Sequence, residues 1–323
     1  MALPTNTYTR YLVGTNARED LIEKITDVSP EETPVISSFG RATAENTYHE
    51  WQRDTLRAAN ADNAALDGDD ASGSAKAAPG RVANYCQIFQ DTIVVSGRAE
   101  IVKKAGMKSA LAYHKAKAYK ELQRDMEAAA LSTNPAVAGA AGTAPKLGGL
   151  GVLIYTNALH NGLGATTAHT SGAPTTANTA GTNRTFTKAL LDTAASQTFT
   201  SAGKVPEMIV VSPAHKVLFS AFTGIAANRW DVKTKDAQGA VVGGADVYLS
   251  DFGKMTIVPH YLMVGADRVY GLNPEYGDAV YLRGFQSSKL GKSGDSEREQ
   301  VLVDATIRLT SETANFAIKN LTP

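Results

Sequence analysis

The chain has 323 residues, and its 32 basic side chains balance its 32 acidic ones. A nucleic-acid-binding protein normally carries a basic excess or a basic stripe, and this sequence has neither. The length is sufficient for a sizeable core and favours two domains or one large composite domain. Only 20% of the residues are charged, which suits a surface covered by neighbouring subunits, although many soluble enzymes share this composition.

Two features indicate the compartment of the product. The single cysteine, Cys86, excludes an intramolecular disulfide framework and fits a reducing compartment. Residues 1–7 lack the basic region and apolar core of a signal peptide, and no apolar run approaches the roughly 20 residues needed to cross a bilayer. We therefore expect a soluble protein made in the cytoplasm, without a membrane partner.

Residues 1–40 predict an N-terminal arm. Polar and apolar residues are mixed here, with one short helical segment at 18–25. Pro30 and Pro34 predict that no second helix crosses the rest of the arm, because proline removes a helix hydrogen bond and disfavours the helical conformation of the preceding residue. We expect this part of the arm to be extended.

Residues 41–99 predict a long β-hairpin. Its first strand includes Trp51, its return strand spans 82–99, and residues 58–80 between them are small and polar. A two-stranded ribbon with no third strand is only marginally stable in water. We expect this ribbon to need a partner, which another copy of the chain could provide, and its tip to be mobile in the free subunit.

The rest of the chain predicts a mixed α+β structure. Apolar residues at roughly four-residue intervals predict one long helix over 107–131, in which Leu111 and Leu122 face a sheet. Further helices are predicted at 187–199 and 214–222, strands at 207–212, 247–249, 255–259, 279–283, 300–310 and 315–320, a linker at 136–151 and a surface loop at 155–184.

No motif for catalysis, cofactor binding or metal binding is complete. Residues 291–293 (Gly-Lys-Ser) resemble the end of a phosphate loop, but Gln286 stands where that motif needs glycine, so we predict a polar turn. Residues 49–50 (His-Glu) begin like a zinc-protease helix, but Arg53 replaces the second histidine. Cys86 lies in an apolar strand, where we predict a packed residue rather than a nucleophile. We predict no enzyme activity, no cofactor and no metal.

The order of the predicted parts resembles a known family. Arm, hairpin, long helix, α+β insert and returning strands follow one another as in the Hong Kong 97-like major capsid proteins of tailed bacteriophages. The likeness spans nearly the whole chain, and the order of the matching stretches carries more of it than any single motif. Those stretches are 33–36 (Thr-Pro-Val-Ile), Gly40, 49–56 (His-Glu-Trp-Gln-Arg-Asp-Thr-Leu), 208–213 with Lys216 and Phe219, 251–253 leading to 257–259, and 312–321.

The resemblance implies an organisation and a role. The chain would be a major capsid protein that self-assembles, as pentamers and hexamers, into the icosahedral head around double-stranded DNA, which it touches non-specifically. Scaffold, portal and decoration proteins are further candidate partners, and the subunit would be made in the host cytoplasm and reside in the virion. The implied parts are an N-terminal arm at 1–40, an E-loop hairpin at 41–99, a peripheral (P) domain at 100–138 and 256–312, and an axial (A) domain at 139–255 and 313–323.

The same resemblance implies that residues of the hairpin contact a neighbouring subunit. Candidate contacts are Trp51, Arg53, Asp54 and Lys76, and Trp51 is the best single anchor because a large aromatic can bury much area. Some relatives join a hairpin lysine to an asparagine of an adjacent subunit. Lys76 with Asn315 or Asn320 is the conceivable pair here, but no motif supports it and we predict no crosslink.

Two alternative functions remain open from the sequence. An encapsulin-like shell or another phage assembly protein, such as a tail tube, is the first, and electron micrographs of purified particles would distinguish these. A cytosolic hydrolase with a catalytic triad dispersed through 152–255 is the second. A histidine beside an activated serine or aspartate in a pocket, together with monomeric behaviour, would favour the hydrolase.

Overall fold

The structure is a computed structural model. It describes residues 29–222 and 246–323, apart from 31, 65, 69–72, 74, 75, 77, 105 and 293. The helix predicted at 18–25 and most of the arm predicted at 1–40 therefore lie outside the described residues. Within the described part of the chain, no helix is both long enough and apolar enough to cross a membrane.

Helices and strands alternate along the described residues, which confirms a mixed α+β class. In chain order the elements are α1 Pro34–Ser38, β1 Gly40–Thr43, β2 Tyr48–Arg53, β3 Gly80–Tyr85, β4 Gln87–Ser96, α2 Gly97–Ile101, α3 Ala110–Leu131, α4 Leu150–Leu153, β5 Ala158–Leu159, α5 Lys188–Ala202, β6 Met208–Val211, α6 Pro213–Ser220, β7 Val247–Ser250, β8 Gly253–Pro259, β9 Val269–Leu272, β10 Gly277–Leu290, β11 Ser296–Leu309 and β12 Phe316–Ile318.

A four-stranded sheet and the long helix α3 form one packed unit. The strand order is β1–β10–β11–β4, with β1 parallel to β10 and the other neighbours antiparallel. The predicted long helix is confirmed, and it begins where the Ser109 hydroxyl accepts the Ala112 N–H. Leu122 is fully buried in the core against the sheet, whereas Leu111 is half-buried beside it.

A six-stranded sheet forms the second unit, in the order β5–β12–β9–β6–β8–β7. Its core includes side chains from α5, α6 and the sheet, such as Leu191, Phe219 and Phe316. The predicted strands at β6, β7, β8 and β12 and the predicted helices at α5 and α6 are confirmed. Strand β9 was not predicted, because a four-residue strand buried on both faces shows no alternation. Its Gly271 is required by packing, since a Cβ there would lie 2.2 Å from the Phe316 ring.

The hairpin is shorter than predicted. β2 and β3 pair antiparallel, with Trp51 opposite Val82, but a single return strand over 82–99 is wrong. At Cys86 the chain leaves the hairpin, and β4 then pairs with β11 of the four-stranded sheet. Asn84 fixes this branch point, because its buried amide donates to the carbonyl oxygens of Gly148 at 3.1 Å and Ile307 at 3.0 Å.

The prediction that proline keeps the end of the arm extended is wrong at Pro34. This residue occupies the first helical position of α1, where the missing N–H is not needed and the fixed φ angle favours a helix. Of the predicted polar turn at 291–293, residues 291 and 292 lie between the antiparallel strands β10 and β11, and residue 293 is outside the described residues.

Two of the segments expected from the sequence contain strands of more than one sheet. Strand β4 and most of β1, expected in the hairpin segment at 41–99, belong to the four-stranded sheet. Strand β9 and most of β8, expected with the peripheral segment at 256–312, belong to the six-stranded sheet. Strand pairing over long sequence separations decides both assignments, and local sequence does not encode it.

Candidate assembly surface

The tip of the hairpin, residues 54–79, projects without helix or strand in its described part. Two leucines on it are almost fully in solvent, Leu56 at 98% and Leu66 at 80% exposure. Single exposed apolar residues are ordinary, and these two leucines make the tip a candidate contact surface. Asp54 and Lys76 are also exposed there.

Trp51 has a different environment from the tip. Only 8% of it is exposed, and it packs in the same core cluster as Val82. Its buried indole N–H has no hydrogen-bond partner among the described residues. Little of the indole surface is therefore available to a neighbouring subunit. The large size of Trp51 gives no support for its predicted role as an anchor between subunits.

Arg53 contacts its own chain where the paired strands meet the tip of the hairpin. Its guanidinium donates to the Tyr155 hydroxyl at 3.1 Å and lies over the Tyr155 ring, 5.8 Å from the centroid. The His169 ring meets Tyr155 edge-on at 4.6 Å. Burial, followed by the positive charge of Arg53, lowers the pKa of His169 to about 4. The residue is therefore neutral at physiological pH.

Gly172 forms an isolated β-bridge with Val82 of the hairpin. The Ala83 N–H donates to the Gly172 carbonyl at 3.0 Å, and the Gly172 N–H donates to the Arg81 carbonyl at 2.9 Å. Gly172 has a φ of 74°, a left-handed conformation that glycine adopts without strain. The hairpin is therefore a two-stranded sheet, as expected, and one isolated bridge to Gly172 attaches it to its own chain. The low-complexity sequence around Gly172 carries no pattern that signals this pairing.

The other side of the 155–184 loop is attached to the six-stranded sheet. The buried Lys319, next to β12, donates to the Gly151 carbonyl and to the Thr166 hydroxyl. Burial lowers the pKa of Lys319 to about 7. His160 also bonds to the Thr166 hydroxyl, at 2.8 Å, and burial together with the charge of Lys319 lowers the pKa of His160 to about 4. No pattern in the sequence identified Lys319 or His160 as a residue that holds this loop.

The other candidate chemical groups are accounted for by packing. Cys86 is a packed strand-end residue, as predicted, and burial raises the pKa of its thiol to about 12. Asn315 and Asn320, the conceivable crosslink partners of Lys76, are both buried in their own chain. Over residues 29–222 and 246–323, with the gaps given above, no three histidine, cysteine or acidic side chains group closely enough to hold a metal ion.

One serine–histidine pair bears on the hydrolase alternative. Ser212 Oγ and His215 Nδ1 lie 2.8 Å apart, and His215 Nε2 bonds to the Thr322 carbonyl at 3.1 Å. A carbonyl only accepts, so Nε2 carries the proton and the Ser212 hydroxyl donates to Nδ1. Both side chains are buried, and Ser212 also accepts the His215 N–H as the cap of α6. The pair is a helix cap that substrate cannot reach.

Solved structures share this arrangement of two sheets, long helix and hairpin. The capsid subunit of cyanophage A-1(L) superposes with a TM-score of 0.65 at 12% identity, over 98% of this chain and 100% of that one. The SrpI encapsulin of Synechococcus elongatus superposes with a TM-score of 0.57 at 9% identity, over 98% of this chain and 96% of that one. The fold is therefore Hong Kong 97-like, the architecture of shell-forming subunits.

Sequence comparison specifies which class of shell subunit. The sequence profile of the SU10 major capsid protein family matches residues 3–322. The major capsid protein of Escherichia phage Phieco32 is 24% identical over 322 residues, covering 88% of each protein. The chain belongs to the SU10 major capsid protein family, and the predicted resemblance to tailed-phage capsid proteins is confirmed. It is a structural subunit of the virion shell.

Proposed function

We propose that copies of this chain form pentamers and hexamers that close into an icosahedral head around double-stranded DNA. The observation that carries this proposal is the projecting tip at 54–79, whose Leu56 and Leu66 are exposed. A neighbour that fully covered either leucine would gain roughly 1.5–3 kcal/mol. Closed symmetry repeats the same contact around every ring, so a modest interface suffices for a stable shell.

The parts of the subunit follow from this role. We assign the four-stranded sheet with α3 to the peripheral (P) domain, the six-stranded sheet with α5 and α6 to the axial (A) domain, and β2–β3 with its tip to the E-loop. The two separate sheets support the division into two domains, and one hydrophobic cluster joins them, since it contains both Leu122 of α3 and Tyr270 of β9. Relative to the bounds expected from the sequence, β1 and β4 move to the P domain, and β9 with most of β8 moves to the A domain.

Within the E-loop, Asp54 and Lys76 are the proposed polar contacts with a neighbour. Both are exposed and lie near the two ends of the tip, where opposite charges would fix the register of the neighbour more than the strength of its binding. Arg53 would contribute through its attachment to Tyr155, and Trp51 through internal packing beneath the ribbon.

Other partners are proposed on weaker support. DNA contact would be non-specific, because the 32 basic and 32 acidic residues give the chain no net charge for tight phosphate binding. Scaffold, portal and decoration proteins, and synthesis in the host cytoplasm, are proposed from membership of the family alone.

Leucine substitutions test the role of the tip. The double substitution Leu56→Ser and Leu66→Ser removes exposed apolar surface, so the free subunit should keep its stability while assembly weakens. Leu163→Ser is the matched control, because Leu163 is 90% exposed on the 155–184 loop rather than on the hairpin. Sedimentation and negative-stain micrographs would measure assembly. Normal shells from the double variant would contradict the proposed contact.

Proteolysis tests the same contact without mutation. Cleavage within 54–79 should be rapid in free subunits and strongly slowed in particles, because a neighbour would cover the tip. Deleting residues 61–74 should leave a folded subunit that assembles poorly. Equal cleavage rates in the two states, or a compact monomer at every concentration and salt, would contradict the proposal.

An encapsulin-like shell is the second candidate, favoured by the superposition on the SrpI encapsulin. The contents of purified particles distinguish the two functions. Particles from an infected host that contain genome-length DNA support a phage head, whereas particles that enclose only protein cargo support a compartment.

A further inference from the structure

The 155–184 loop joins the hairpin to the body of its own subunit. One face of the loop pairs with β3 through Gly172, whose N–H and carbonyl both bond to that strand. The same face carries the contacts of Tyr155 and His169 beside Arg53. These contacts lie along the half of the paired strands that is nearer the tip.

The opposite face of the loop is tied to the six-stranded sheet. Lys319 donates to Thr166 from its buried position next to β12. Arg184 closes the loop, because its N–H donates to the Asn320 carbonyl at 2.8 Å and its carbonyl accepts the Thr322 N–H at 2.9 Å. The loop is therefore anchored to the six-stranded sheet near both of its ends, through β5 and Arg184, and to the hairpin in between, through Gly172.

The backbone hydrogen bonds between Gly172 and β3 limit how the hairpin can turn relative to the body of the subunit. A ribbon attached only by its two chain ends can swing about them, whereas the two backbone hydrogen bonds to Gly172 hold the β3 edge against the loop. The pairing adds hydrogen bonds on the β3 edge, opposite the edge that pairs with β2. No residue of a neighbouring subunit is needed to form it.

We propose that the 155–184 loop is an intramolecular brace that fixes the direction of the hairpin before any neighbour binds. This inference rests on the proposed role of the hairpin as an assembly contact. A hairpin that is already oriented loses less conformational freedom when it docks, so each contact forms at a lower subunit concentration. It also presents the tip at one angle, which a closed shell requires of every copy.

Gly172→Val tests the brace. A β-branched residue cannot hold the left-handed φ of 74° at this position, so the two backbone bonds to β3 should break. Gly142→Val is the matched control, because Gly142 has a φ of 83° in a turn of the connector with open space around its Cα. Tyr155→Ala is a second variant, which removes the Arg53 and His169 contacts without changing backbone preference.

Hydrogen exchange of the free subunit is the direct measurement. In the wild type, the amides of Ala83 and Gly172 should be protected while the tip at 54–79 exchanges rapidly. Gly172→Val should raise the exchange rates of the amides at positions 83 and 172 about tenfold or more, and Gly142→Val should leave these rates unchanged. If Gly172→Val does not fold, Tyr155→Ala should still raise exchange in β3.

Assembly of the variants and of the wild type tests the brace and the proposed function separately. Gly172→Val and Tyr155→Ala should raise the subunit concentration needed for assembly by about tenfold or give shells of irregular curvature, whereas Gly142→Val should assemble as the wild type does. Rapid exchange of Ala83 in the free wild type, or normal assembly of a variant whose β3 amides are exposed, would overturn the brace. Failure of the wild type to form shells would instead overturn the proposed function.

Discussion

The carboxylate of Glu127 and the imidazole of His260 lie 2.9 Å apart, Oε1 to Nε2, and both side chains are fully buried. Glu127 also accepts the backbone N–H groups of Val35 and Ile36, each at 2.8 Å, and so caps α1. The Leu262 N–H donates to His260 Nδ1, which places the imidazole proton on Nε2. One side chain of α3 therefore ties α1, at the end of the arm, to the loop after β8.

Glu127→Gln should destabilise the free subunit by roughly 3 kcal/mol. Three N–H donors face the carboxylate, and the amide group of glutamine would oppose at least one of them. Urea unfolding measures the loss, and hydrogen exchange should show the amides of α1 released. Glu121→Gln is the control on the same helix, because the half-exposed Glu121 pairs with the exposed Lys117 at the surface. Equal stability of the two variants would show that Glu127 does not hold α1.

The two leucines assigned to the sheet side of α3 should differ in their response to substitution. Leu122 is 1% exposed, so Leu122→Asp should abolish folding and Leu122→Ala should cost about 2–5 kcal/mol. Leu111 is half-buried at the edge of the same core, so Leu111→Ala should cost clearly less. Chemical denaturation of the alanine variants measures the order. A folded Leu122→Asp subunit of normal stability would contradict the assigned helix face.

Local patterns in the sequence determined which elements could be predicted. The spacing of Leu122 and Met126 identified α3, and Pro213 marked the start of α6. The contacts that shape the assembly surface are non-local. Glu127 and His260 are 133 positions apart. Between β3 and Gly172, with which it forms a bridge, the chain forms β4 and the long helix α3. Such pairings leave no periodicity in either partner, so no local pattern predicts them.

Acid should weaken the 155–184 loop. The pKa of His169 is lowered to about 4 by burial and by Arg53, against about 6.5 in the unfolded chain. Between these values only the unfolded state binds the proton, so stability is fully present above about pH 6.5 and is lost as the pH falls towards 4. The loss should be on the order of 1–3 kcal/mol. His160 should act in the same direction, since burial and Lys319 lower its pKa to about 4.

Urea unfolding between pH 7 and pH 4.5 measures this effect. His169→Gln removes the titrating group and should flatten the pH dependence, while stability at pH 7 changes little. His114→Gln serves as the control, because His114 is exposed on α3, and it should keep the wild-type slope. An unchanged slope in His169→Gln would show that this histidine does not sense pH.

Trp51 should support the free subunit through its ring and not through its indole N–H. The ring packs in the core beneath the hairpin, whereas the buried N–H finds no acceptor among the described residues. Trp51→Phe keeps an aromatic ring and removes an unsatisfied donor, so it should change the free energy of unfolding by about 1 kcal/mol or less. Trp51→Ala leaves a cavity and should cost about 3–5 kcal/mol. Denaturation of free subunits gives both values, and a Trp51→Ala subunit with wild-type stability but impaired assembly would instead assign Trp51 to an interface between copies.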